Sequence, residues 1–397
     1  MNDRLYVWVY LQGALTPILC GALDLLQGRR CVFSYDPSWL DHPKAFSLSP
    51  DMPLRRGVMD PPFGLELAPI FEDAGPDRWG KNVINKVFNP QRRSPLDYLE
   101  LAGEDRIGAL GFSRSASAYL AAQEQAFFAA DLPDLLRAAQ ALEAHVPIDD
   151  DLRRLLRPGA SAGGARPKAI IKFAEGDWLA KFSAEGDELD VCAVEHACLR
   201  LASACGIAVP ESQLIRIQRQ HVLLVKRFDR ELNGRYHLAS ARTMLIGEGI
   251  AEDGMGYADI ADLARRITAA PKADCQQIFR RMVFNVLIEN TDDHEKNHAF
   301  LYKDNAWHLA PAYDLQPQLQ GIGYHQLRIG EEGHSPTLSN LLSAHKNFML
   351  KPGEANQIVQ DIVACCRDWT VVLAREGVSR HDIALCAKYV MRASLFS

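Results

Sequence analysis

The stretch that most narrows the folds open to this chain is Asn290-Thr291-Asp292-Asp293-His294-Glu295-Lys296-Asn297, followed downstream by Tyr313-Asp314. An apolar run, Met282 to Ile288, leads into it, and a strand-like stretch, His298-Ala299-Phe300-Leu301-Tyr302, leads out. This places the polar cluster at a helix end and in the loops beyond it. Asn297 follows Asp292 by five residues and Asp314 follows it by 22. Two oxygen ligands with a separate carboxylate are what positions Mg²⁺, a nucleotide and an attacking hydroxyl. The same residue types also cap helices and fill turns, so the choice depends on what lies upstream.

At 397 residues the chain is too long for one core, which predicts two or three packed units. A formal net charge of −6 argues against nucleic-acid binding across the whole surface. The nine cysteines form no CxxC pair and several lie in apolar patterns, such as Cys192, Cys198 and Cys205, so they read as reduced, buried residues of a cytoplasmic protein. The N-terminus does not read as a signal peptide, and no apolar run approaches the roughly 18 residues of a membrane span.

Alternation predicts strands at Leu5 to Val9, Cys31 to Tyr35 and Ala45 to Leu48, a small β-rich unit. Helical signals follow at Asp77 to Val87 and Pro95 to Leu101, and Gly103 to Phe112 reads as loop and turn. An amphipathic helix is expected over Leu135 to Ala144, capped by Asp134.

Next comes Ser161-Ala162-Gly163-Gly164-Ala165-Arg166-Pro167-Lys168, a glycine-rich loop without the GxxxxGK[ST] pattern. Its backbone N–H groups can cradle phosphate oxygens, with Lys168 adding charge; a flexible linker is the plainer alternative. A β-hairpin is predicted from Ala169 to Phe182, and Lys181 sits mid-strand between Ala180 and Phe182, where a lysine needs a partner. Glu195 on the following helix, Leu189 to Cys205, is the candidate: a strand lysine paired with a helix glutamate orients nucleotide phosphates in protein kinases, which also space the catalytic Asp and metal-binding Asn by five residues. Gly206 ends that helix, and strands are expected at Ser212 to Ile217 and His221 to Val225. Lys226-Arg227-Phe228-Asp229-Arg230 would be the hinge, with Phe228 near the base or simply in the core. Beyond Leu238 the pattern is mostly helical.

With these residues in order, the chain resembles the HipA family of serine/threonine kinase toxins. The likeness is carried by Pro76-Asp77-Arg78-Trp79-Gly80, Gly103 to Phe112, the Ser161 to Lys168 loop, Lys181, Arg227 to Arg230, Asp292-x-His294-x-Lys296-Asn297, and Pro311 with Tyr313-Asp314. It implies an α+β, bilobed protein-kinase-like fold: a β-rich N-terminal subdomain over residues 1–128, the nucleotide-binding part of the N-lobe over 129–227, and a helical C-lobe over 228–397. It further implies Asp292 as catalytic carboxylate, with His294 and Lys296 supporting the transferring phosphoryl group or the loop. Asn297 and Asp314 would hold Mg²⁺. Gly163, Gly164, Ala165, Lys168, Lys181, Glu195, Lys226, Phe228 and Tyr313 would surround ATP. Ser161 falls where family members phosphorylate themselves and so switch off. The implied partners are a HipB-like helix-turn-helix antitoxin, through which alone DNA would be met, and a protein substrate such as an aminoacyl-tRNA synthetase. No membrane partner is implied. The stretch His237 to Met244 departs from members that carry a Glu-Asp pair there.

Overall fold

A computed structural model describes residues 3–121, 126–146, 155–156, 164, 166–252 and 254–395. It divides into two compact units, each assembled from separated stretches of chain: Met1–Glu185, Lys226–Gly249 and Leu301–Asn305 in the first, Gly186–Val225, Ile250–Phe300 and Ala306–Ser397 in the second.

The first unit opens with an antiparallel sheet of β1 (Arg4–Val9), β2 (Ile18–Leu26), β3 (Arg30–Tyr35) and β4 (Leu110–Ser113), in the order β3-β2-β1-β4. β1 and β3 are the strands that alternation predicts. β2 escapes it because Cys20-Gly21-Ala22 carries little β preference. Its glycine is required: a Cβ at Gly21 would lie 2.3 Å from the Ser34 carbonyl oxygen and 2.6 Å from the Phe33 ring. β4 forms in what reads as loop, because Tyr6 to Val9 supply its partner across Ser113 to Leu110. Ala45 to Leu48 is not a strand. Its alternation reflects packing: Phe46 stacks on Tyr302 at 4.3 Å, and the Leu48 amide donates to the Tyr35 hydroxyl at 3.1 Å.

The helix Pro95–Leu101 begins with a capping box between Ser94 and Asp97. The amphipathic helix starts earlier than expected, at Leu132–Glu143, so Asp134 stands in its first turn rather than at its cap. Pro133 favours that earlier start, its fixed φ suiting a first turn. The hairpin of β5 (Lys168–Lys172) and β6 (Asp177–Phe182) follows, with Lys168 directly across from Lys181.

Around Asp229 the first unit is knit together. Its carboxylate accepts from the Gly108 amide at 2.7 Å and from Arg227 and Arg230, each at 2.8 Å. The same guanidiniums donate to the carbonyls of Asp105, Arg106 and Gly108. Burial alone would raise the Asp229 pKa, but the two arginines hold it well below the usual carboxylate range.

The second unit is built on helices. Asp190 caps the helix Val191–Ala204, and Gly206, at φ +74°, terminates it. The strands β7 (Ser212–Ile217) and β8 (Gln220–Lys226) form a hairpin. The helix Pro271–Leu287 is its centre, packed against the helices Tyr257–Ile267 and Pro352–Cys366, with Ile278, Phe279, Met282, Val283 and Phe284 fully buried. Among the described residues no helix is long and apolar enough to cross a membrane.

Candidate active site

The helix Pro271–Leu287 delivers the polar stretch. It stops at Ile288, and Glu289 turns the chain with φ +59°. That turn is held from outside: the Met391 amide donates to the Leu287 carbonyl at 2.8 Å, and Arg392 donates to the buried Glu289 carboxylate at 2.6 Å.

The two neighbouring aspartates are sorted by burial. Asp293 is 2% exposed and accepts from the Tyr257 hydroxyl and, at 2.9 Å, from His298 Nε2. Burial pushes its pKa up, but His298 and Tyr257 outweigh this and leave it below the ordinary value. Asp292 is exposed. The chain then makes one tight turn, Glu295–Asn297, with the Lys296 amide donating to His294 Nδ1 at 3.2 Å. That turn buries Asn297.

Asp314 comes to the same stretch through Asn290, whose side-chain amide donates to the Asp314 carbonyl at 3.3 Å. The Tyr313 hydroxyl donates to the Lys296 carbonyl at 2.6 Å. Asp314 is half-buried with φ +59°, a left-handed conformation that few residues other than glycine adopt, and such strain concentrates at functional sites. Hydrogen bonds thus tie His294, Lys296, Asn297 and Tyr313 to one another and Asp314 to Asn290 within the second unit, and Asp292 lies between them along the chain. Glu195, in the same unit, is buried on its helix rather than solvated.

The other expected residues lie in the first unit. Lys181 is half-buried on β6, and Phe228 is half-buried. Lys226 lies over the Trp178 ring at 5.9 Å. Lys168, expected to lend charge to a phosphate cradle, instead makes a buried ion pair with Asp77 at 2.6 Å. Gly164 has φ +108°, and a Cβ there would come within 3.4 Å of the Lys168 ammonium. Ser161, Gly163 and Ala165 fall outside the described residues.

Sequence reasoning missed Tyr257 and Asn285, and took in Asp77 and Asn290 as parts of motifs without giving either a role. One signal was available: Asn285 interrupts the apolar run, and a buried amide there demands partners.

The donor set of Asn297 and Asp314 suits a hard cation that takes its remaining ligands from water and phosphate. No group of three His, Cys, Asp or Glu side chains able to hold a metal forms among the described residues.

Comparison with known proteins places this geometry in a class. The solved structure of HipA with HipB and operator DNA from Shewanella oneidensis matches with a TM-score of 0.71, covering 96% of this chain and 94% of that one at 18% identity. The fold is therefore α+β and protein-kinase-like. The family model of the HipA-like C-terminal domain matches residues 160–370, more than half of the chain, and that of the HipA N-terminal domain matches residues 9–113. The chain belongs to the HipA family of toxin kinases. Among its relatives, the serine/threonine-protein kinase toxin HipA of Shewanella oneidensis is 22% identical over 316 residues, 71% of this chain and 68% of that one. Y4mE of Sinorhizobium fredii, provisionally named a kinase, is 25% identical over 308 residues, 71% of each chain.

Proposed function

We propose that this protein transfers the γ-phosphoryl group of ATP to a serine of a protein, with Asp292 as the catalytic carboxylate. The observation that carries this reading is the division of labour in the Asp292-Asp293 pair. Asp293 is buried and committed to Tyr257 and His298, while Asp292 stands exposed five residues before buried Asn297. An exposed carboxylate can accept the proton of an incoming hydroxyl; a buried one held by two donors cannot. Asn297 and Asp314 would hold Mg²⁺, which neutralises charge on the β- and γ-phosphates when bound. Lys181, Lys226 and Phe228 of the first unit, and Glu195 and Tyr313 of the second, are the nucleotide-binding residues of this proposal. Gly163, Gly164 and Ala165 would cover the phosphates, with Lys168 fixing the base of that loop. His294 and Lys296 would hold the loop around Asp292.

Phosphate on Ser161 would place about two negative charges on a loop that must cover anionic phosphates, and so would silence the kinase. The Shewanella neighbour was solved with HipB and operator DNA, which supports a HipB-like antitoxin as partner here. DNA would be met through that partner, in keeping with a net charge of −6. An aminoacyl-tRNA synthetase is the proposed class of target, with arrest of growth as the outcome.

Incubation with Mg²⁺ and labelled ATP tests this. Label is expected on the chain itself and on a protein of a cell extract, and is lost with Asp292→Asn. A preparation that binds ATP yet labels neither would overturn the proposal.

A further inference from the structure

Beneath the exposed Asp292 lies a closed line of buried polar side chains that binding and transfer do not touch. The Tyr257 hydroxyl donates to Asp293. Asn285 Nδ2 donates to that hydroxyl oxygen at 3.1 Å. Asn290 Nδ2 donates to Asn285 Oδ1 at 3.1 Å and also to the Asp314 carbonyl at 3.3 Å. His298 completes the acceptor end on Asp293 at 2.9 Å. All five residues, Tyr257, Asn285, Asn290, Asp293 and His298, are at most 2% exposed.

The donor inventory leaves this line one direction. A tyrosine hydroxyl has a single proton, and Asp293 takes it, so the oxygen must accept from Asn285. The Asn285 carbonyl oxygen must then accept from Asn290, whose two amide protons are divided between Asn285 and Asp314. All five hydrogen bonds of the line can form together only in this arrangement, with His298 Nδ1 alone left without a partner at its far end, and each link restricts the next in a buried polar chain. The line begins one residue from Asp292 and ends on the backbone of Asp314. Its middle members stand on two helices: Tyr257 opens Tyr257–Ile267 and Asn285 lies in Pro271–Leu287. Tyr257 is itself pinned, its amide donating to the Arg328 carbonyl at 3.0 Å, and a Cβ at Gly256 would meet the Arg328 Cβ at 2.7 Å.

We infer that Tyr257, Asn285 and Asn290 are positioning residues that set the catalytic carboxylate and the metal-holding aspartate relative to each other as one unit. The inference rests on the proposed phosphoryl transfer. In it the Asn290 amide holds the left-handed turn at Asp314, while Tyr257 and His298 orient Asp293 and with it the backbone that presents Asp292. Breaking any link releases both ends.

The test uses the full chain with Tyr257→Phe, Asn290→Ala and the double variant. Phe279→Leu, a core change on the same helix outside the line, is the control. Two readouts are taken on material shown folded by its melting curve: transfer of label from ATP, and the Mg²⁺ concentration that half-saturates binding of a non-hydrolysable ATP analogue. Each single variant is expected to lower kcat at least about tenfold and to raise the Mg²⁺ requirement. The double variant should be no worse than the weaker single, as for residues that act as a unit. Phe279→Leu should lower the melting temperature and leave both readouts in place. Losses that multiply in the double variant, or an unchanged Mg²⁺ requirement in both singles, would overturn the inference. A wild-type chain that binds the analogue but transfers no label would sink the kinase reading instead, and the Mg²⁺ readout would still judge the line.

Discussion

The ion pair of Lys168 and Asp77 offers a quantitative test of how the start of β5 is held to the helix Arg78–Val83. The two side chains are 3% and 7% exposed and 2.6 Å apart. Asp77 does two things at once: one carboxylate oxygen takes the lysine ammonium, and the other caps the helix Arg78–Val83 by accepting from the Gly80 amide at 2.8 Å. Lys168→Met leaves a buried carboxylate with only the capping amide, at a cost of about 3–5 kcal/mol. Asp77→Asn keeps a capping oxygen but removes the buried carboxylate that faces the ammonium, at a similar cost of about 3–5 kcal/mol. Asp77→Ala should add about 1 kcal/mol for the lost cap. The variant carrying both Asp77→Asn and Lys168→Met has no buried charge and should recover most of the loss, giving a coupling of about 3 kcal/mol. Urea titration followed by tryptophan fluorescence measures all four chains, with buried Trp79 two residues from the pair. Single variants that each cost under about 1 kcal/mol, or a double variant that costs their sum, would refute the claim that this pair is a coupled, desolvated anchor.

Three other outcomes are expected. Asp292→Asn should reduce label transfer by about a thousandfold or more with little change in melting temperature, whereas Asp293→Asn should lower stability, because Tyr257 and His298 lose a charged acceptor; kinetics and melting curves separate the two. His237 and His325 are buried, and desolvation pushes each pKa down to about 4. Between pH 6.5 and 4 the unfolded chain binds protons that the folded chain refuses, so stability is full above 6.5 and falls as pH falls, by about 3 kcal/mol for each histidine; urea midpoints against pH should show it, and His237→Gln should remove one share. Asp229→Asn leaves two buried guanidiniums without their carboxylate and should cost about 3–5 kcal/mol, seen as a lower urea midpoint.

Much of the candidate site could be proposed from the sequence because its residues lie close together along the chain. His294, Lys296 and Asn297 occupy a single turn and the residue before it, with Asp292 two residues further upstream. What could not be read are partnerships made across long separations. Lys168 looks like a phosphate lysine until Asp77, 91 residues away, is seen to take its charge. Tyr257 looks like a core aromatic until Asp293 appears beside its hydroxyl. In the fold, β2 was hidden by its small residues, and Leu110–Ser113 became a strand only because β1 had a free edge for it. The first unit reclaims Leu301–Asn305 through side chains that no periodicity encodes: Gln12 exchanges two hydrogen bonds with Asp304, at 3.1 and 2.8 Å.

The left-handed backbone at Asp314 has a consequence for how this protein can be disarmed. Aspartate codons become asparagine or glycine codons by one base change, and these are the residues that best tolerate such a backbone. A single mutational step can therefore erase the proposed metal carboxylate while the turn, and the structure around it, stay in place. Most other substitutions there would strain the turn as well. Under the proposed function, the readiest losses of activity at this position are thus silent but folded copies, which would keep whatever partner-binding surface the active protein has.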